Sequence, residues 1–212
     1  MGFRVRRWTA AIGAVSFLLA ANTVRAETFV VLDTLSSASF DQSNAYSIFS
    51  SFGSSQSVAI SFSSPIDLMI TKIDTYISAP FGGTIDFGIM SDIDGHPSGQ
   101  YLSKITLDPS FDPLSLGPLD WTIGGGLKYW LAAEPSVDGE DVTWVFNKDI
   151  LTTLGLNSGG DWSSQGGQFA PAVMIEGATP LPGALVLFAS GLGGVGFFGL
   201  RRKRKETSAV AA

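Results

Sequence analysis

The chain has 212 residues, 45% of them hydrophobic, with 13 basic residues, 19 acidic residues and no cysteine. Its charge is unevenly spread: residues 27–179 hold four lysines against 18 carboxylates, a net charge of −14, and the other nine basic residues lie outside that stretch. Disulfide frameworks and Cys-ligated zinc or iron–sulfur centres are excluded, and the acidic field of the middle repels nucleic acid and anionic lipid surfaces.

Residues 1–26 read as a secretory signal peptide. Arg4, Arg6 and Arg7 precede an apolar run over 8–21, and Val24-Arg25-Ala26 places compact residues at the −3 and −1 positions of a cut between Ala26 and Glu27. The apolar run is short for a stable span; an uncleaved anchor is the other reading. The Arg6-Arg7 pair lacks the rest of a twin-arginine motif.

Residues 27–177 read as one acidic all-β domain, because apolar positions recur with period two. Early strands are expected over 27–32 and 46–51. Val58, Ile60 and Phe62 then alternate with Ser57, Ala59 and Ser61. Ile66, Leu68 and Ile70 keep one phase, and Ile73, Thr75 and Ile77 take the other. That break at Thr71-Lys72 predicts a β-bulge or a strand crossing to a second sheet. Further strands carry Ile85, Phe87 and Ile89, then Tyr101, Ser103, Ile105 and Leu107, then Leu127, Tyr129 and Leu131, then Val142, Trp144 and Phe146, with a last one over 172–176. One helical turn is expected near 149–154, and a Gly/Ser-rich loop over 157–168. Turn signals stand at Ser64-Pro65, Gly82-Gly83, Asp94-Gly95, Gly124-Gly125-Gly126 and Asp138-Gly139. Many short strands so punctuated predict an antiparallel sandwich.

The stretch Ser91-Asp92-Ile93-Asp94-Gly95-His96-Pro97-Ser98-Gly99 with Tyr101-Leu102 resembles a hairpin of the choice-of-anchor extracellular domains, and Leu127 to Leu131 with Trp144 resembles their later strands. The resemblance spans about residues 55–176. It implies a jelly-roll-like antiparallel sandwich and specifies no activity.

Within this domain, chemistry has few carriers. His96 is the one histidine; it sits in a Gly/Pro-flanked turn, and no Gly-x-Ser-x-Gly elbow accompanies it as a hydrolase triad would need. Asp92 and Asp94 are candidates for calcium, but Asp and Gly also build turns unaided, and the distal glutamate of a calcium loop is missing. A glycosidase needs two flanking carboxyl groups, which spacing alone does not reveal. Trp130 and Trp162 are candidate sugar contacts, Trp162 on its expected loop and Trp130 beside Tyr129 on one strand, where neighbouring residues face opposite ways. One of that pair is therefore expected in the core and the other exposed. Nothing in the sequence calls for a cofactor.

Beyond the domain, residues 178–183 contain Pro180, Leu181, Pro182 and Gly183. The two prolines hold the chain extended. Residues 181–200 carry no charge, and as a helix would be about 30 Å long, the thickness of a hydrocarbon core. Arg201, Arg202, Lys203, Arg204 and Lys205 follow at once, which predicts a transmembrane helix over 184–200 with a basic cytoplasmic tail over 201–212. Ala189 with Gly193 and Ser190 with Gly194 are small-residue pairs at helix-packing spacing.

Proline motif, glycine-rich apolar run and basic cluster in this order resemble the PEP-CTERM class of sorting signals in its PLP variant. Leu181 stands where the main form has Glu, and Gly183 where the variant has Ala. The resemblance covers residues 179–205. It implies export by signal peptidase and the secretion machinery, recognition of the tail by an exosortase-like membrane protease, then release or attachment at the cell surface, with exopolysaccharide as an associated partner. The expected product is a non-catalytic surface or matrix protein; a carbohydrate-binding module and a secreted hydrolase are the alternatives.

Overall fold

A computed structural model describes residues 27–36, 44–51, 54–80, 82–109, 113–137 and 141–180. The signal-peptide, transmembrane and basic-tail segments lie outside the described residues, as do Leu181, Pro182 and Gly183. No described helix is long and apolar enough to cross a membrane.

The described residues form strands and no helix. In chain order these are β1 (Thr28–Asp33), β2 (Ala45–Ser51), β3 (Ser54–Ser63), β4 (Leu68–Thr75), β5 (Ile77–Ser78), β6 (Ile85–Ile93) and β7 (His96–Leu107). There follow β8 (Leu114–Leu116), β9 (Trp121–Ile123), β10 (Lys128–Pro135), β11 (Asp141–Asn157), β12 (Ser163–Pro171) and β13 (Val173–Ala178). A smaller sheet runs β1-β13-β4-β8, with β9 also on β4. A larger one runs β12-β11-β2-β3-β10-β6-β7, with β5 on β11. All the strand pairings are antiparallel, so the expected sandwich of two sheets is what the chain forms.

Alternation explains the main core. Val58, Ile60 and Phe62 of β3, Phe87 and Ile89 of β6, Leu131 of β10 and Trp144 of β11 face Ile70, Ile73, Val173 and Ile175 of the smaller sheet. The Trp144 ring meets Phe87 edge-on with centroids 5.5 Å apart, a favoured aromatic geometry. The phase break in β4 has both expected causes at two successive places. Thr71 is the extra residue of a bulge opposite Glu176 and Gly177. After Thr75 the chain leaves the smaller sheet, and Ile77 pairs with Trp144 of the larger one.

Three expectations are corrected. The helical turn at 149–154 is a strand: β11 continues through it, and the polar run Asn147-Lys148-Asp149 is the start of a wide bulge against β12. There the Asp149 N–H donates to Asn147 Oδ1 at 2.9 Å. The Gly/Ser loop expected over 157–168 holds at 158–162, where Trp162 lies, but from Ser163 the chain is β12, an edge strand with mostly exposed residues, which needs no apolar alternation. Ile66 and Leu127 lie just outside their strands and are exposed at 42% and 57%.

The chain changes sheets again at 171–173, between β12 and β13, and buried backbone groups there need partners. Thr34 Oγ1 donates to the Pro171 carbonyl and accepts from the Val173 N–H at 2.9 Å. Thr75 Oγ1 donates to the Ala172 carbonyl at 2.9 Å and accepts from Trp144 Nε1 at 2.9 Å. Asn147 Nδ2 donates to the Thr34 carbonyl at 2.9 Å. All three polar side chains are at most 3% exposed. Thr34→Val keeps the shape but strands an N–H and a carbonyl, each costing about 1–3 kcal/mol when unsatisfied. Urea denaturation is expected to show a loss of about 2–4 kcal/mol, against under about 0.5 kcal/mol for the exposed Thr28→Val.

Candidate functional site

The outward face of the larger sheet carries two unlike halves. β3, β10 and β6 run side by side, with Ala59 opposite Ala132 and Ala132 opposite Gly88. At one end Ala59, Met90, Trp130, Ala132 and Trp162 form a second apolar cluster, with Tyr101 packed on it. The small residues leave room for the β6–β7 hairpin tip to lie over the face. Gly155 is required there, because a Cβ on it would sit 2.5 Å from Pro97 Cγ. Trp162 closes over Gly99.

Asp92 pins this half. It accepts from Trp130 Nε1 at 2.7 Å and from the Gly95 N–H at 3.1 Å, and pairs with Lys128 at 3.4 Å. The Lys128 ammonium also lies 4.4 Å from the Trp130 ring centroid, within cation–π range. Burial works against ionisation of Asp92, yet the Trp130 and Gly95 bonds and the Lys128 charge hold its carboxyl below the ordinary range.

The other half is a polar cleft of about 580 Å³. Its floor comes from neighbouring strand positions: Ser57 of β3 opposite Asn157 of β11, and Asp86 of β6 opposite Glu134 of β10. Ser50, Ser55, Ser136 and Gly160 complete the wall. The two carboxyl groups are held differently. Burial raises the Asp86 pKa, but a 2.5 Å bridge from Lys104 and a 2.7 Å bond from Thr106 more than offset it and leave it lowered. Burial pushes the Glu134 carboxyl up, and the Asp86 charge adds to the rise; the neighbouring Tyr101 hydroxyl dipole and the Lys104 charge only partly oppose it. Tyr101 is itself fixed by donating to the Asp86 carbonyl at 2.9 Å, and its own pKa is raised by burial and then by Glu134. The cleft thus combines hydroxyl and amide groups with two carboxyl groups, a surface for hydrogen bonding to a polar ligand.

The chain matches no protein-family model, and no curated protein matches it in sequence.

The structure relocates most of the candidate residues. Tyr129 and Trp130 are both buried, at 6% and 0% exposure: β10 is covered by the smaller sheet on one side and by the hairpin on the other. Trp130 and Trp162, at 8%, offer no open ring for stacking, so their expected role as sugar contacts is corrected to packing under the hairpin tip. Asp92 spends its oxygens on Trp130, Gly95 and Lys128, and Asp94, at φ 51°, shapes the hairpin turn with Gly95. Among the described residues no three His, Asp or Glu side chains are grouped to hold a metal. His96 begins β7 half-buried, its Nδ1 3.4 Å from the Pro97 carbonyl. The grouping of the cleft residues Asp86, Glu134 and Asn157 has no signal in the sequence, since β6, β10 and β11 are distant along the chain.

The two carboxylate nodes make opposite pH predictions. The lowered Asp92 pKa adds stability that is fully present above the unfolded value and is lost as pH falls through the folded one. Asp92→Asn is therefore expected to lower Tm at pH 7, with the gap from wild type closing as the solution is acidified. Glu134, raised on folding, carries a penalty above its folded pKa that protonation relieves. Glu134→Gln should raise Tm at pH 7 by a few degrees and lose that gain in acid, as read by calorimetry across pH.

Proposed function

We propose that this chain is an exported, non-catalytic surface or matrix protein. It is cut after Ala26 by signal peptidase, held transiently by a span over 184–200, and processed near Pro180 by an exosortase-like membrane protease. The sandwich is read as jelly-roll-like, and the mature domain displays the polar cleft to the outside.

One observation carries the reading. Thr28, the second residue past the proposed signal cut, pairs directly with Ala178, two residues before Pro180. This pairing supports a reading in which both proposed cuts fall at one pole of the domain. The cleft is built at the far end of the other sheet: Ser55 and Ser57 open β3, whereas Ser63 closes it beside Lys128 and lines a groove with Phe29 and Val31 of β1. At about 3.3 Å per residue, Ser55 and Ser63 stand roughly 26 Å apart. A domain tethered at one pole with its polar recess at the other is arranged for display.

The carbohydrate-binding alternative draws support from the cleft, through hydrogen bonding by Ser57, Asn157 and Glu134 rather than through stacking. The hydrolase alternative draws less. Asp86 and Glu134 lie side by side on adjacent strands, and Asp86 is bound by Lys104 and Thr106, whereas hydrolysis of a glycoside needs carboxyl groups on two sides of the bond.

Intact mass of the protein recovered from cells outside the inner membrane is expected to give a start at Glu27 and loss of most residues beyond about 180. Full-length, soluble cytosolic protein would overturn the reading. For the alternative, affinity electrophoresis through gels containing the host's exopolysaccharide should retard the wild type and not Asn157→Ala; equal mobility of both with and without polysaccharide removes it.

A further inference from the structure

The pole at which the chain enters and leaves the sandwich is not a neutral surface. Here β1 starts and β13 ends, with Ala178 set between Thr28 and Met69. The loop before β4 and the loop before β10 close over the same end. The Gly126 N–H donates to the Ser64 carbonyl at 2.7 Å and the Gly125 N–H to Asp67 Oδ1 at 2.7 Å. Gly125 approaches so closely that a Cβ would sit 2.7 Å from Ile66 Cα. These bonds fix Ile66 and Leu127 in place while leaving their side chains in solvent.

Beside them lies a groove of about 210 Å³ lined chiefly by Phe29, Val30, Val31, Pro65, Ile66 and Leu68. Val30, Ile66 and Leu127 are 59%, 42% and 57% exposed. The lining is almost wholly apolar, unlike the cleft at the far end. Near it, Lys128 is engaged with Asp92 and Trp130, Asp67 accepts from Gly125, and Glu176 opposite Val30 stands next to Lys72, which is bridged to Asp74.

We propose that this pole rests on the outer leaflet of the bilayer, with Val30, Ile66 and Leu127 entering the interfacial layer. The proposal rests on the reading of the tail as a span. The chain carries no charge from 177 to 200, and the expected span begins at 184, four residues past the last described one. Residues 181–183, fully extended, reach only about 10 Å, so the tether holds this end against lipid and not against water. Docking of three aliphatic side chains would be too weak to recruit a free protein, but a short tether makes it intramolecular, at an effective concentration in the millimolar range. The acidic domain selects a neutral headgroup surface over an anionic one. The consequence is orientation: the cleft points away from the membrane, and the Pro180 segment is pinned at a constant height above it.

The chain has no cysteine, so single-cysteine variants of the full chain label cleanly. Ile66→Cys, Leu127→Cys and, at the cleft end, Val137→Cys would carry an environment-sensitive fluorophore, in phosphatidylcholine nanodiscs with and without spin-labelled lipid. The expected result is blue-shifted emission, quenched by the spin-labelled lipid, at 66 and 127 and neither effect at 137. Ile66→Asp combined with the label at 127 should abolish the quenching while the far-ultraviolet strand signal is unchanged. Water-like, unquenched emission at all three sites in a chain that is inserted would overturn docking and leave the span intact. Failure of the chain to enter nanodiscs would overturn the span reading and the docking with it. Shielding of 66 and 127 without lipid quenching, appearing only when host membrane proteins are added, would assign the surface to a protein and overturn the lipid proposal.

Discussion

A chain that passes from one sheet to the other must bury peptide groups where no ladder continues, and the rest of this fold depends on how that is solved. At 171–173 the backbone leaves β12 and begins β13. Its carbonyl and N–H groups are taken up by Thr34, Thr75 and the Val145 backbone, which accepts from Ala172 N–H at 2.8 Å. Trp144 and Asn147 reach in from β11 to bond Thr75 and the Thr34 backbone. The node therefore joins β1, β4 and β13 of one sheet to β11 of the other. Because a hydrogen bond is directional where apolar contact is not, it sets how the two sheets are aligned, while the Ile and Val layers supply the stabilisation.

That alignment leaves the larger sheet covered on both faces at its centre. A strand facing only one core alternates apolar and polar positions, but Tyr129, Trp130, Leu131, Ala132 and Ala133 of β10 are all buried. The second cover is the β6–β7 hairpin tip, drawn down onto Gly155 by Pro97 and fixed by Asp92 on Trp130. The cover ends at Tyr101, and beyond it the same face becomes the Ser57–Asn157–Glu134 cleft. The cleft exists because the hairpin stops short of it, and Tyr101 is the boundary residue, packed on the apolar cluster and bonded to the Asp86 backbone.

Much of this architecture is legible in the sequence. Period-two patterning identifies β3, β6 and β10, and the phase break at Thr71-Lys72 marks a bulge that the register bears out. The features that the sequence conceals have physical causes. The edge strand β12 has no buried stripe to announce it, and the Asn147 bulge imitates a helical turn because both place polar residues in a local turn. Trp130 reads as a platform because adjacent strand residues face opposite sides, which is correct. Only the tertiary structure shows that both sides are covered. The cleft is hidden for the same reason: Asp86 and Glu134 are neighbours only through the β10–β6 register, and no spacing along the chain encodes that.

The same sheet face holds two carboxylate nodes, and their contrast separates scaffolding from function. Asp92 has three donors directed at it, and together they overcome the cost of burying its charge. Such a group has nothing left to offer a ligand. Asp86 is almost equally engaged, through Lys104 and Thr106. Glu134, beside it, receives too little compensation to stay in the ordinary carboxylate range. A fold selected for stability alone would replace such a residue, since a neutral isostere avoids the cost of the buried charge. Glu134 nevertheless lies at the floor of an open, hydroxyl-lined recess, at the end of β10 away from Lys128. The stabilising carboxylate sits under the hairpin and the destabilising one sits in the cleft.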